Sequence, residues 1–375
     1  MKIAINTRFL LKGKLEGMGW FTYEVVRRIV LDHPKHEFIF FFDRPFDPEF
    51  IFADNVTPVV LFPPARHPFL WYLWFEWSVA RALKKYQPHV FLSTDNFLTL
   101  KTDVPTVLVT HDIAHHHFPN QVSFWPQKYY DYFVPKFNHK ATRIVAVSEF
   151  TKKDVVDTYS IVSEKIAVAC NGCRERFLPI STAAKIAVKE EYADGEDYFF
   201  YVGAIHPRKN VVRLIAAFDE FKKSTQSPMK LLLAGRMAWQ TGAVSEILEK
   251  ITYRTDVIFL GYLDDKELPK LTAAALASTY TSLFEGFGIP ILEAMYCDTP
   301  VLTSTISSMP EVAGEAAVLV NPNSVEEIAG GMKLLFEDST LRKELIKKGR
   351  VQRQKFSWER AAEVVYENLL LAITQ

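Results

Sequence analysis

The stretch Glu285-Gly286-Phe287-Gly288-Ile289-Pro290-Ile291-Leu292-Glu293 decides how this chain is read. It follows a run that reads as a strand closing at Leu283, passes through two glycines and enters a helix. The first turn of that helix holds Pro290, where a missing N–H is no loss. Such a turn is an anion site: Gly286 and Gly288 let the backbone approach a ligand, while free amides and the positive end of the helix dipole favour a phosphate. Two carboxylates beside a phosphate would repel it, so Glu285 and Glu293 are better suited to accept hydrogen bonds from hydroxyl groups. Phosphate and hydroxyls on one ligand describe a sugar nucleotide. An ordinary strand-to-helix turn, with Glu293 on a helix surface, fits the same residues and stays open at this point.

Working outward, short apolar runs alternate with helical patterns along the whole chain, the mark of parallel sheets covered by helices. The first half offers strands at Lys2 to Asn6, Glu37 to Phe42, His89 to Leu92, Thr106 to Thr110, Ile144 to Val147 and Ile166 to Ala169. The second half offers Tyr198 to Val202, Lys230 to Ala234, Val257 to Leu260, Ala277 to Thr281, Val301 to Thr303 and Ala317 to Val320. The expected fold is therefore α/β, with two Rossmann-like domains covering residues 1–172 and 173–356. The region from Cys173 to about Glu196 lacks strong periodicity and reads as a linker. A last helix, with Ser357 as N-cap and Trp358 inside it, runs to about Ala372.

At 375 residues the chain suits two domains of ordinary size. Lys+Arg and Asp+Glu both number 44 and the pI is near 7.2, a balance that argues against nucleic acid as a partner. Although 49% of residues are hydrophobic, no stretch reads as a spanning helix. Met1-Lys2 passes straight into an apolar strand, which leaves no room for a signal peptide and implies a cytoplasmic protein. Three cysteines do not make a disulfide framework; Cys170 and Cys173 flank Asn171-Gly172 and read as two thiols in a turn. Phe62 to Tyr86 is rich in aromatics, with Arg81, Lys84 and Lys85 close by. Those rings lie all round the helix, which fits packing or a cleft lining better than a membrane-surface stripe, and peripheral membrane contact stays open.

The two-glutamate segment resembles the signature of retaining glycosyltransferases of family 4, which have the GT-B fold. Phe199 to Gly203 followed by His206-Pro207-Arg208-Lys209-Asn210 is similar to that family's phosphate-binding pair. Thr299 to Val301 and Ser308-Met309-Pro310-Glu311-Val312-Ala313-Gly314 look like its C-terminal domain. The resemblance is strong from Tyr198 to Trp358 and looser before that. It implies two Rossmann-like domains whose parallel sheets face a central cleft. The first takes the acceptor and is completed by the crossing helix 357–375; the second binds the nucleotide sugar. Arg208 and Lys209 then contact the diphosphate, Glu285 accepts from sugar hydroxyls, the Phe287 and Gly288 amides meet the sugar or phosphate, and Glu293 holds the ribose. Gly203 is followed by Ala204 where the family often has an arginine, so one phosphate contact is missing.

In the first half, Gly17-Met18-Gly19-Trp20 opens a helix from Phe21 to Leu31 and resembles the family's glycine loop to the donor phosphate. As a dinucleotide fingerprint it fails, lacking the three-glycine spacing. Thr110-His111-Asp112 falls at a strand's C-terminal end, where open α/β sheets bind ligands. His111 matches the family histidine that contacts the transferred sugar, with Asp112 expected to orient it or an acceptor hydroxyl. His115-His116-His117 do not point one way and make a poor metal set, and no Asp-x-Asp pair stands at a strand end. Asp264-Asp265 reads as a helix cap, as does Ser148.

These readings converge on a metal-independent retaining hexosyltransferase without a cofactor. Its donor would be a GDP- or UDP-hexose, with mannose preferred on family resemblance, and its acceptor a carbohydrate or a lipid-linked glycan. Donor contacts divided between two domains imply closure about hinges near Cys170 to Cys173 and Phe356-Ser357. Two rivals share the residues: a GT-B-like sugar-nucleotide epimerase, and a non-catalytic sugar-nucleotide-binding subunit.

Overall fold

In the computed structural model, which describes residues 1–236 and 242–374, the chain forms two compact units. One is Met1–Gly172 together with the chain from Ser357 onward, the other Cys173–Phe356. The first unit holds strands β1 (Lys2–Asn6), β2 (Glu37–Phe42), β3 (Val56–Val60), β4 (Val90–Ser93), β5 (Thr106–Thr110), β6 (Arg143–Ala146) and β7 (Ile166–Val168). They pair in the order β3-β2-β1-β4-β5-β6-β7, parallel throughout. Ile5 pairs with Phe40 on one side and Leu92 on the other, so the order reverses at β1, and ligands bind off the strand ends at such a reversal.

The second unit holds β8 (Tyr198–Val202), β9 (Lys230–Ala234), β10 (Val257–Gly261), β11 (Ala277–Tyr280), β12 (Val301–Ser304) and β13 (Ala317–Val320), in the order β10-β9-β8-β11-β12-β13. Its reversal falls between β8 and β11. Gly203, Gly235 and Gly261 end three neighbouring strands at positive φ, and a Cβ on Gly235 would lie 1.9 Å from the Gly203 carbonyl oxygen. Only glycine fits there.

Two local expectations need correction, and one strand is additional to those expected. The added strand is β3, at the edge of its sheet, where its Pro58 is tolerated. The glycine pair does not precede its helix: the helix runs Gly17–Asp32, with Gly17 and Gly19 in its first turn. The supposed linker contains a helix, Thr182–Ala193, capped by Ser181; only Val188 and Ala193 are buried, which is why its periodicity is faint.

The helix Trp358–Thr374 belongs to the first unit, with Trp358, Val365 and Leu369 buried. Arg28 Nη2 meets Glu359 Oε1 at 2.7 Å, and His36 Nε2 lies 2.9 Å from the Tyr366 hydroxyl. The aromatic segment divides by depth: Trp74 and Phe75 are fully buried, each worth about 2–3 kcal/mol of burial, while Phe62, Phe69 and Trp77 face solvent.

Candidate active site

At the reversal of the second sheet, the chain leaving β8 and the chain leaving β11 are drawn together. Leu283 N donates to Arg208 O at 2.8 Å, and the Asn210 amide donates to Thr281 O at 3.0 Å, locking the Pro207–Lys209 turn to the two-glutamate loop. Lys209 Nζ lies 2.6 Å from Glu285 Oε1, and Arg208 Nη1 lies 2.7 Å from Phe284 O and 3.5 Å from Glu285 Oε2. The Tyr280 hydroxyl, from the end of β11, donates to the same Glu285 Oε1 at 2.8 Å and lies 2.9 Å from Lys209 Nζ. Glu285 is 7% exposed. Burial opposes its ionisation, but Lys209 and Arg208 outweigh burial and hold the carboxyl below its usual range. Two cations thus face this one carboxylate.

The loop itself is held by serines. Ser307 Oγ accepts from Glu285 N at 2.9 Å and lies 2.6 Å from Glu285 O; Ser308 Oγ lies 2.9 Å from Glu285 O and 2.8 Å from Phe287 O. Gly286 and Phe287 are buried within it, and Gly288 at φ +98° turns the backbone into the helix Ile289–Tyr296, with Pro290 in its first turn. Glu293, in that helix, is 4% exposed, so it is no surface residue. Its Oε1 accepts from Arg174 Nη2 at 2.7 Å and Nε at 3.2 Å.

In the first unit, His111 follows β5 and stands edge-on to Phe21 of the glycine-bearing helix, ring centres 5.1 Å apart. His111 Nε2 lies 2.8 Å from the Thr94 carbonyl, so that nitrogen carries the proton and Nδ1 is left as the acceptor. Burial lowers the His111 pKa, against the Thr94 carbonyl and Asp112, which raise it. Among the described residues no hydrogen bond joins Asp112 to the ring: its Oδ1 accepts from Ala114 N at 3.0 Å, while Asn96 Oδ1 takes the His111 amide at 2.7 Å. Nothing stands within 4 Å of a Cβ built on Gly17, but one on Gly19 would come within 2.9 Å of the Phe9 carbonyl oxygen, so packing accounts for that glycine.

Among the described residues no three His, Cys, Asp or Glu side chains gather as a metal ligand set. His117 Nε2 meets Asp154 Oδ1 at 2.8 Å, and His115 Nε2 lies 3.3 Å from the Tyr159 hydroxyl. Asp264 Oδ1 accepts from Lys266 N and Glu267 N at 2.8 and 2.9 Å, just ahead of the helix Glu267–Ala274, whose N-cap position is Lys266. Ser148 caps Glu149–Tyr159. Among the described residues neither Cys170 nor Cys173 forms a disulfide.

With this geometry in place, the likeness to known proteins is specific. Residues 15–175 match the family described as Glycosyltransferase Family 4, and residues 183–352 match Glycosyl transferases group 1. The O-antigen chain mannosyltransferase RfbU of Salmonella typhimurium is 30% identical over 71% of this chain and 70% of its own length. This chain is a family 4, group 1 glycosyltransferase. The O-antigen chain mannosyltransferase B of Escherichia coli is 28% identical to this glycosyltransferase over 96% of it and 97% of the relative. Its fold is that of GT-B enzymes. Anabaena HepE, solved with UDP and glucose, superposes with TM-score 0.75 at 18% identity, covering 99% of both chains. WaaG, a glycosyltransferase of lipopolysaccharide biosynthesis, gives 0.76 at 15% identity, covering 98% and 99%.

Sequence reasoning singled out Arg208, Lys209, Glu285 and Glu293, and the structure sets Tyr280 against Glu285, Arg174 against Glu293 and the Thr94 carbonyl against His111, three neighbours that reasoning did not name. Tyr280 reads as strand core, and Arg174 lay in the stretch taken for a linker. Thr94 acts through its carbonyl, which leaves no side-chain signal.

Proposed function

We propose that this glycosyltransferase moves mannose from GDP-mannose to a growing bacterial surface glycan, with retention of anomeric configuration and without a metal. The observation that carries the reading is the Arg208–Lys209–Glu285–Tyr280 cluster at the mouth of the second sheet. Mannose and the glycan acceptor are supported by the two O-antigen mannosyltransferase relatives. In this reading the second unit binds the nucleotide sugar and the first the acceptor.

In the proposed reaction the bond between the anomeric carbon and the β-phosphate oxygen breaks while positive charge builds on the sugar. Arg208 and Lys209 stabilise the departing diphosphate. The acceptor hydroxyl attacks from the same face, its oxygen bonds to the anomeric carbon, and its proton passes to the leaving phosphate oxygen. No enzyme carboxylate becomes covalently attached, unlike the retaining glycosidase route. Glu285 takes hydrogen bonds from sugar hydroxyls, Glu293 from the ribose, and the protonated Nε2 of His111, held by Thr94, leaves Nδ1 to accept from the transferred sugar.

A lipid-linked acceptor would bring the enzyme to a membrane surface. No helix among the described residues is long and apolar enough to cross one. Peripheral contact through the exposed Phe69 and Trp77, with the Arg81 guanidinium 4.4 Å over the Trp77 ring, is the form of attachment this proposal allows.

The test supplies GDP-mannose, UDP-glucose and UDP-galactose with a mannoside acceptor in the presence of EDTA. An α-linked mannosyl product seen by NMR is expected. Inverted product, EDTA-abolished turnover, or an epimerised donor formed without acceptor would each overturn a named part of the proposal.

A further inference from the structure

Arg174 stands one residue past the boundary between the two units, in a stretch with no sequence signal, yet its side chain is held by Asp265, Glu293 and Phe177. Its guanidinium carbon lies 4.7 Å from the centre of the fully buried Phe177 ring. Nη1 donates to Asp265 Oδ1 at 2.8 Å, while Nη2 and Nε converge on a single oxygen, Glu293 Oε1, at 2.7 and 3.2 Å. The side chain of Arg174 is 11% exposed and that of Glu293 5%. Among the described residues no hydrogen bond reaches Glu293 Oε2. A guanidinium that served only to neutralise a buried carboxylate would commonly meet both oxygens in a fork. Here both donors take the same oxygen and leave the other available.

We infer that Arg174 is a positioning residue for the donor site: it fixes the Glu293 carboxyl group by Oε1, so that Oε2 is presented to the vicinal hydroxyls of a nucleoside diphosphate ribose. The inference rests on Glu293 being the ribose partner. Asp265 and Phe177 complete it by holding the guanidinium plane, Asp265 at one end and the aromatic face against its flat side. Arg176 in turn steadies Asp265, with Nη1 3.1 Å from the Asp265 carbonyl oxygen. A lysine could keep the charge but could not direct two donors at one oxygen from a fixed plane.

The test measures binding by calorimetry of GDP and UDP and of their 2′,3′-dideoxy counterparts, which lack the ribose hydroxyls. For the nucleotide it prefers, the intact enzyme should favour the ribose form by about tenfold, the scale of one hydrogen bond to a charged group. Arg174→Gln, which keeps a donor and the packing, should reduce that preference to near unity by weakening the ribose form alone. Arg174→Lys should retain part of it, and donor KM should rise in both variants with kcat little changed. Glu293→Ala separates the two claims. If it abolishes the preference while Arg174→Gln retains the full ratio, the positioning role is overturned and the ribose reading stands. If Glu293→Ala also keeps the ratio, Glu293 does not hold the ribose and both claims fall. A variant that loses both nucleotide forms equally would show a purely structural ion pair and would also overturn the inference.

Discussion

Lys209→Ala tests the electrostatics of the site through stability as well as rate. In the intact protein Glu285 Oε1 takes Lys209 at 2.6 Å and Tyr280 at 2.8 Å, with Arg208 3.5 Å from Oε2. Truncation leaves a carboxylate that is 7% exposed with one phenolic hydrogen bond and one long ionic contact. Breaking a buried pair costs about 3–5 kcal/mol, and the surviving partners place this case at the lower end, about 3 kcal/mol. For a unit of this size that corresponds to a melting-point fall of about 6–12 °C. Adding Glu285→Gln removes the stranded charge and should restore stability to within about 1 kcal/mol of the intact protein. Turnover should not recover, since the diphosphate has still lost a cation; about a hundredfold loss is expected in both variants. The sign with pH is also fixed. Although burial alone would raise the Glu285 pKa, Lys209 and Arg208 hold it below the usual range. Its stabilisation is therefore present above the unfolded value of about 4.3 and fades as pH falls through the lower folded one. Without Lys209, burial gains weight and the carboxyl pKa moves up, so the deficit should shrink between pH 7.5 and pH 5. Urea midpoints at constant m-value, with initial rates, measure all of this. Equal stability of the single and double variants, or full turnover in Lys209→Ala, would refute the reasoning.

Three further outcomes are expected. Burial pushes the His115 pKa down to about 4, against Asp112 and Asp131, which raise it; a folded pKa below the unfolded value of about 6.5 means stability lost on acidification, about 2 kcal/mol between pH 7 and 5, and urea unfolding of His115→Gln should show a flatter slope. His111→Ala should leave nucleoside diphosphate affinity by calorimetry within about twofold while lowering transfer by about a hundredfold, and a large affinity loss would put the histidine on the wrong part of the donor. Gly235→Ala, whose Cβ would come 1.9 Å from the Gly203 carbonyl oxygen at φ +148°, should yield insoluble protein or a second unit that melts well below the intact one, read by calorimetry.

The architecture was legible wherever a strand is buried on both faces. Phe38 to Phe42 and Leu231 to Ala234 are continuous apolar runs because helices cover both sides of their sheets, and both strands fall where they were expected. Legibility failed where burial is partial or a residue has two meanings. β3, the edge strand, was not among the strands expected, and its Pro58 is of a kind edges tolerate. Thr182–Ala193 buries two residues and so writes almost no period. Glycines at 17 and 19 read as a loop, yet Gly19 sits inside a helix because its neighbour is the Phe9 carbonyl.

The site divides along a different line. Arg208, Lys209, Glu285 and Glu293 could be found because each lies in a short segment whose composition is unusual for a turn or a helix start. The residues that set their chemistry lie far away in sequence: Tyr280 closes the Lys209–Glu285 contact from a strand end, Ser307 and Ser308 fix the loop carbonyls from beyond β12, and Arg174 reaches Glu293 across 119 positions. None carries a local signature, because a tyrosine ending a strand, a serine before a helix and an arginine in a connector are all ordinary there. Their roles come from the parallel sheet, which brings the ends of β8, β11 and β12 to one edge. Asp112 makes the converse case. Placed beside His111 in sequence it invites a catalytic pairing, yet the chain turns after β5 and its carboxylate is taken by the Ala114 amide, leaving the Thr94 carbonyl to hold the ring. Sequence adjacency at a strand end thus identifies which residues reach the site, whereas the partner that fixes a proton's position is chosen by the neighbouring strand.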